Sequence, residues 1–159
     1  MAKAILMSIR PKHVCNIFNL IKLLEIRKKF PKDYVGWVYI YCTKQSDLFK
    51  SYIRMGYYTT RSTADDLEYN GKGKVVARFW CDKVDLIRVR FNAYCGGELS
   101  QDGLCKYACL SLEELDDYLQ GENGYAIHIT NLEIFDRPKP LQPFFDLDRP
   151  PQSWFYIEV

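Results

Sequence analysis

Lys22, Glu25 and Arg27 stand in the run Lys22-x-x-Glu25-x-Arg27, which puts an amine, a carboxylate and a guanidinium into one short stretch. That set suits recognition of a nucleobase or a phosphate. Arginine offers a planar fork of donors, glutamate accepts from an exocyclic amine, and lysine supplies a mobile charge. Arg10 and Lys12 lie upstream and could converge with these three on one cleft. The spacing alone fits equally an ion-pair ladder along an exposed strand, which is worth little in stability.

The elements that must position these residues are legible around them. The apolar run Ile5 to Ile9 reads as a strand, and Pro11 suits the first position of a helix, where its missing N–H would be unpaired anyway. Val14, Ile17, Phe18 and Ile21 then fall at helical spacing on one stripe. After Lys22 the period changes to two. Leu24, Ile26 and Phe30 alternate with Glu25, Arg27 and Lys29, as in a strand with one buried and one open face. The unit is strand, helix, strand.

Further along, VGWVYIYCT (35–43) reads as a strand apolar on both faces, with Val38, Ile40 and Cys42 on one and Val35, Trp37, Tyr39 and Tyr41 on the other. Ser46 could cap a short helix over Asp47–Ile53, followed by a long loop to Gly71. The apolar run after Gly73 changes phase near Asp82 and Lys83, which predicts two strands or one bent strand. Residues 92–110 read as a glycine-rich connection without a period. Ser111 and Glu114 form a capping box for a helix with Leu112, Leu115, Tyr118 and Leu119 on its stripe. From Tyr125 the sequence alternates again. The five prolines between Asp136 and Gln152 predict an extended segment wrapped over the surface, and residues 153–159 close the chain as a strand. Strands with two helices far apart in sequence argue for a mixed α+β domain.

Aromatic residues are the second candidate set. Trp37, Tyr39, Tyr41, Trp154 and Tyr156 could stack on unpaired bases. Covered sheet positions are the commoner use of such residues, but Trp154, with Gln152 and Ser153 beside it, is the one singled out for a ligand. His128 lies in an apolar strand and reads as a satisfied core histidine. The spacing Cys95-x9-Cys105-x3-Cys109 lacks the paired knuckles of a structural zinc site, so no metal is assigned, and the six cysteines read as reduced thiols. No phosphate-binding glycine loop, nucleophile elbow or HExxH run occurs.

The 159 residues, 48% hydrophobic, carry a net charge of +2, too small to indicate a nucleic-acid partner by itself. Its distribution says more. Residues 1–33 hold eight Lys/Arg against two Asp/Glu, whereas residues 110–159 hold three against ten, which favours a basic face on the N-terminal unit. No apolar run reaches the roughly 18 residues a membrane-spanning helix needs. The N-terminus reads as a first strand and not as a signal peptide, so a cytoplasmic location is expected.

In its order of segments the chain resembles the ASCH domain family of the PUA-like superfamily. The resemblance is carried by Lys22-x-x-Glu25-x-Arg27 after a strand and a Pro11-opened helix, together with VGWVYIYCT, GKVVARFWCDKV (73–84), GYAIHITNLEIFDRPKPL (124–141) and PPQSWFYIEV (150–159). The segments 44–70 and 92–110 look like additions. The family often has a glycine two positions before the lysine, and here Leu20 stands there. The resemblance implies one domain over 1–159: an α+β, PUA-like small mixed β-barrel with two or three helices. It implies an RNA- or nucleotide-binding module, acting in regulation or encoded by a mobile element, without a cofactor. Its ligand would be RNA or a modified nucleotide, held by Arg10, Lys12, Lys22, Glu25, Arg27, Gln152, Ser153 and Trp154. The enzymatic alternative is an amidohydrolase removing an acyl group from a modified cytidine or nucleobase, with Lys22 and Glu25 as catalytic residues. There the family places a threonine where this chain has Glu25, which counts against hydrolysis. A third reading is a protein–protein inhibitor that uses the basic face.

Overall fold

The computed structural model describes residues 2–44, 52–54, 57–59, 67–68 and 71–159. Twelve strands and three helices occur among them, as a mixed α+β fold. The chain divides into two compact units. The first comprises Met1–Asn19, Trp37–Phe79 and Asn131–Val159, the second Leu20–Gly36 and Trp80–Thr130.

The first unit is built on a five-stranded sheet. Its strands are β1 (Lys3–Ile9), β3 (Gly36–Cys42), β7 (Lys74–Cys81), β11 (Thr130–Lys139) and β12 (Trp154–Glu158), in the order β11-β7-β3-β1-β12. β1 runs parallel to β3 and antiparallel to β12. Ile5 pairs with Val38 and Met7 with Ile40, so these share a face, while Ala4, Leu6, Tyr39 and Tyr41 share the other. The second face is covered in part by Leu141, Phe145 and Leu147 from the proline-rich segment. That segment therefore lies over the sheet as expected, because proline cannot continue a central strand but leaves apolar side chains free to pack. Helix α1 (Pro11–Phe18) has Pro11 in its first turn and buries Val14, Ile17 and Phe18. Ile21 does not belong to its stripe. The helix stops at Phe18, Leu20 turns left-handed at φ 59°, and Ile21 is 58% exposed.

The second unit holds a four-stranded sheet in the order β2-β10-β8-β9, from β2 (Leu24–Arg27), β8 (Val84–Arg90), β9 (Ala93–Gly96) and β10 (Gly124–His128). The apolar run after Gly73 is thus two strands, β7 and β8, that belong to different sheets. Segment 92–110 is not an irregular connection. It forms β9 and then helix α2 (Gln101–Ala108), capped by Ser100, whose hydroxyl accepts from the Gly103 amide. Helix α3 (Leu112–Leu119) starts at the expected capping box, with both reciprocal bonds made between Ser111 and Glu114. It buries Leu115 and Leu119, whereas Leu112 and Tyr118 stay exposed. Leu24, Ile26, Ile87, Leu104, Leu115, Leu119 and Ala126 make the core of this unit.

A small third sheet joins β4 (Tyr52–Arg54), β5 (Tyr57–Thr59) and β6 (Leu67–Glu68) in the order β5-β4-β6. The helix expected over Asp47–Ile53 falls mostly outside the described residues, and its last two positions are in strand β4. Among the described residues no strand pairing closes a sheet into a barrel.

Candidate ligand-binding site

The residues of the Lys-Glu-Arg run are brought together, but not on an open face. Lys22 is 1% exposed. Its ammonium donates to the carbonyl of Ala108 at 2.5 Å and lies 3.4 Å from Glu25 Oε1. The other carboxylate oxygen of Glu25 accepts from Arg27 at 2.8 Å. Glu25 is buried and the Arg27 side chain is 13% exposed. The expectation that Glu25 lies on the open face of a half-buried strand is corrected, and so is the exposed-ladder reading. Strand β2 stops at Arg27, and the ion pairs are inside the protein.

The partner explains why. Ala108 is the last residue of α2, and the final carbonyls of a helix have no acceptor role within it. Lys22 serves one such carbonyl, and the Leu23 amide serves that of Tyr107 at 2.7 Å. A cation at the negative end of a helix is also favoured by the helix dipole. Lys22 therefore closes α2 from a distance of 86 positions in the chain. Local spacing could not have found that partner.

The turn before Lys22 is informative too. Leu20, which stands where the ASCH family often has glycine, holds the left-handed conformation that glycine adopts without cost. A left-handed turn thus precedes the lysine, and Leu20 carries the strain of a Cβ there. Leu20, Ile21 and Leu23 are 67%, 58% and 39% exposed, so an apolar strip flanks the buried lysine.

The second unit also contains a pocket of about 420 Å³ that the sequence reading missed. His128 lies on its wall with Asp85, Lys83 and Glu98. His128 Nε2 is 2.7 Å from Asp85 Oδ2, and Lys83 Nζ is 3.5 Å from the other oxygen. The histidine is satisfied, as expected, but it is 28% exposed and faces a cavity instead of being sealed in a core. Its partner is 43 positions away, on a different strand. The only local signal was a histidine ending an apolar strand.

In the first unit, Trp154 and Tyr156 alternate on the edge strand β12 and meet edge to face with ring centroids 5.6 Å apart. Lys3, from the neighbouring strand, has its ammonium 5.0 Å from the centre of the Tyr156 ring. Tyr156 is 46% exposed, and Gln152 and Ser153 just before the strand are exposed as well. Arg10 and Lys12, at the start of α1, are exposed. Trp37 instead lies under the Arg78 guanidinium, 3.8 Å from its centre, and Arg78 pairs with Glu133 at 2.6 Å. Tyr39 and Tyr41 are core residues.

No disulfide links the six cysteines among the described residues. Burial, with Cys15 adding to it and Lys72 opposing it, pushes the Cys42 thiol up to about 12. Burial likewise pushes Cys81 up to about 11, against bonds to the Lys83 and His128 backbone. No three metal-ligating side chains gather round one point among the described residues.

No protein-family model matches the sequence, and no curated protein matches it. Solved structures do. An ASCH protein from Zymomonas mobilis is similar at a TM-score of 0.63 and 17% identity, over 98% of this chain and 87% of that one. Two single-substitution variants of that protein are similar at TM-scores of 0.63 and 0.62, each at 16% identity, covering 99% and 98% of this chain and 91% and 88% of theirs. At such identity the likeness concerns architecture, and it runs through nearly the whole chain. The chain has the fold of the ASCH domain.

Proposed function

We propose that this chain is an RNA- or nucleotide-binding module of the ASCH, PUA-like type with a regulatory role, and not an enzyme. The observation that carries the reading is the Trp154–Tyr156 pair with Lys3 on edge strand β12. Two aromatic rings and an ammonium on one face of two paired strands are the parts of a single-strand platform, where bases stack and a cation meets the backbone. The exposed Arg10 and Lys12 of the same unit add charge for phosphate contacts. The arrangement of Lys22 speaks against the amidohydrolase alternative. A nucleophilic amine needs a lone pair aimed at substrate, whereas this ammonium donates to Ala108 and faces Glu25 out of reach of solvent.

Tryptophan fluorescence titrations against short single-stranded oligonucleotides over a salt series test the reading. Tyr156→Ala should weaken binding by roughly 5- to 150-fold, since one base stack is worth about 1–3 kcal/mol. Lys12→Ala should weaken all sequences alike and flatten the log–log salt slope by about 0.7. No binding at low salt would overturn the reading and favour a protein partner for the basic residues. Release of cytidine from N4-acetylcytidine, abolished in Lys22→Ala, would establish the enzyme instead.

A further inference from the structure

We propose that the pocket of the second unit, walled by Asp85, His128 and Glu98, is a binding site for a small organic amine: a primary ammonium carried on an apolar body. This inference is independent of the oligonucleotide-binding reading and concerns a different set of residues.

The site is built around Asp85, which is 8% exposed. Its two oxygens meet His128 Nε2 at 2.7 Å and Lys83 Nζ at 3.5 Å. On the remaining side Gly97 passes so close that a Cβ there would stand 2.6 Å from the carboxyl carbon. The carboxylate is thus held from three directions and fixes the imidazole that leans on it.

That contact decides what the pocket presents. A carboxylate only accepts, so the proton of the shared bond sits on Nε2, and in the neutral imidazole the lone pair is left on Nδ1. Among the described residues nothing pairs with Nδ1. The hydroxyl of Thr130, also on the wall, already donates to the Trp80 carbonyl at 2.6 Å, so toward the cavity its oxygen can only accept. Glu98 brings a carboxylate with no partner among the described residues. The one cation on the wall, Lys83, is committed to Asp85. Besides the Tyr107 hydroxyl, which can donate or accept, the polar groups these side chains offer a ligand are three acceptors.

Beyond these polar groups the lining is apolar, with Leu23, Leu24, Leu99, Ile129 and the ring of Tyr107. Of the carboxylates and the ammonium on the wall, Asp85 and Glu98 outweigh Lys83 by one charge. Acceptors and a net negative charge select a donor-rich cation and repel phosphates and carboxylates. The aliphatic walls require a hydrocarbon body, and about 420 Å³ lies within the range of small-molecule sites.

The test uses the full chain, isotopically labelled, with 2-phenylethylamine and 3-phenylpropionate as probes. Their bodies match and their charges are opposite. The amine should produce saturable shifts at the His128 ring and at the amides of Leu23, Glu98 and Thr130, while the propionate leaves them in place. Glu98 is exposed, so Glu98→Lys should fold, which the dispersion of the same spectra checks. It should weaken the amine at least about tenfold and admit the propionate, because one charge reversal at contact is worth more than ~1.4 kcal/mol. His128→Leu should weaken the amine in the folded protein without admitting the propionate. Three results would overturn the proposal: no saturable shift up to about 10 mM amine, the weak limit of specific binding; equal binding of both probes; or amine binding untouched by Glu98→Lys.

Discussion

Lys22→Met separates a structural lysine from a ligand-binding one. Methionine keeps most of the aliphatic stem, so little cavity opens and the change isolates the ammonium. Two groups then lose a partner. The Ala108 carbonyl, in a residue with no exposed surface, is left without its donor, which costs roughly 1–3 kcal/mol. Glu25 loses one of its two cations, but Arg27 stays 2.8 Å away, so only part of the roughly 3–5 kcal/mol of a broken buried pair is forfeited. Together these put the destabilisation at about 3 kcal/mol. With a urea slope of about 2 kcal/mol/M, the unfolding midpoint should fall by roughly 1.5 M. A cycle with Glu25→Gln should show non-additivity of about 1 kcal/mol, since the two side chains touch. Urea unfolding followed by far-UV circular dichroism measures both. A loss below about 0.5 kcal/mol would refute the reasoning, because a surface-like cost means the lysine does not hold α2.

Leu20→Gly should raise stability by roughly 0.5–1 kcal/mol in the same assay, because it relieves a left-handed backbone at a side chain that is 67% exposed. Gly97→Ala should cost about 2 kcal/mol and shift the His128 ring resonances, since Gly97 has φ +57° and no room beside Asp85. Cys42 and Cys81 should resist a thiol reagent at pH 8 in the folded protein while Cys95 and Cys109, which are only half-buried, react. The same raised thiols predict a fall in stability above pH 9. The unfolded chain ionises at its ordinary 9.0 while folded Cys42 keeps its proton to about 12, so the native state binds more protons across that window and ΔG of unfolding declines. Unchanged stability between pH 9 and 11 would contradict the burial of these groups.

What the sequence determined by itself was whatever depends on neighbours in the chain. Pro11 opening α1 acts through its own fixed φ and missing N–H, and the Ser111–Glu114 box opening α3 is a pair of side-chain-to-backbone bonds three residues apart, so residue type suffices to place them. The faces of β3 follow from the two-residue period, and the proline-rich segment from the missing amide of proline. Helix α2 escaped because Gly103 and the polar residues around it leave a weak period over Gln101–Ala108, and the helix is fixed by packing Leu104 and Ala108 into the core and by a cap on its far end. That cap is Lys22. Its type and spacing in the chain signalled a ligand-facing cation, and the same residue in the fold is a buried support. The Asp85–His128 pair was illegible for the same reason. A carboxylate and an imidazole on different strands become a site only when β8 and β10 pair in register, and no spacing along the chain encodes that pairing. Tertiary structure decides which polar groups lose water, and loss of water decides whether a charge becomes part of the framework or stays available to a ligand.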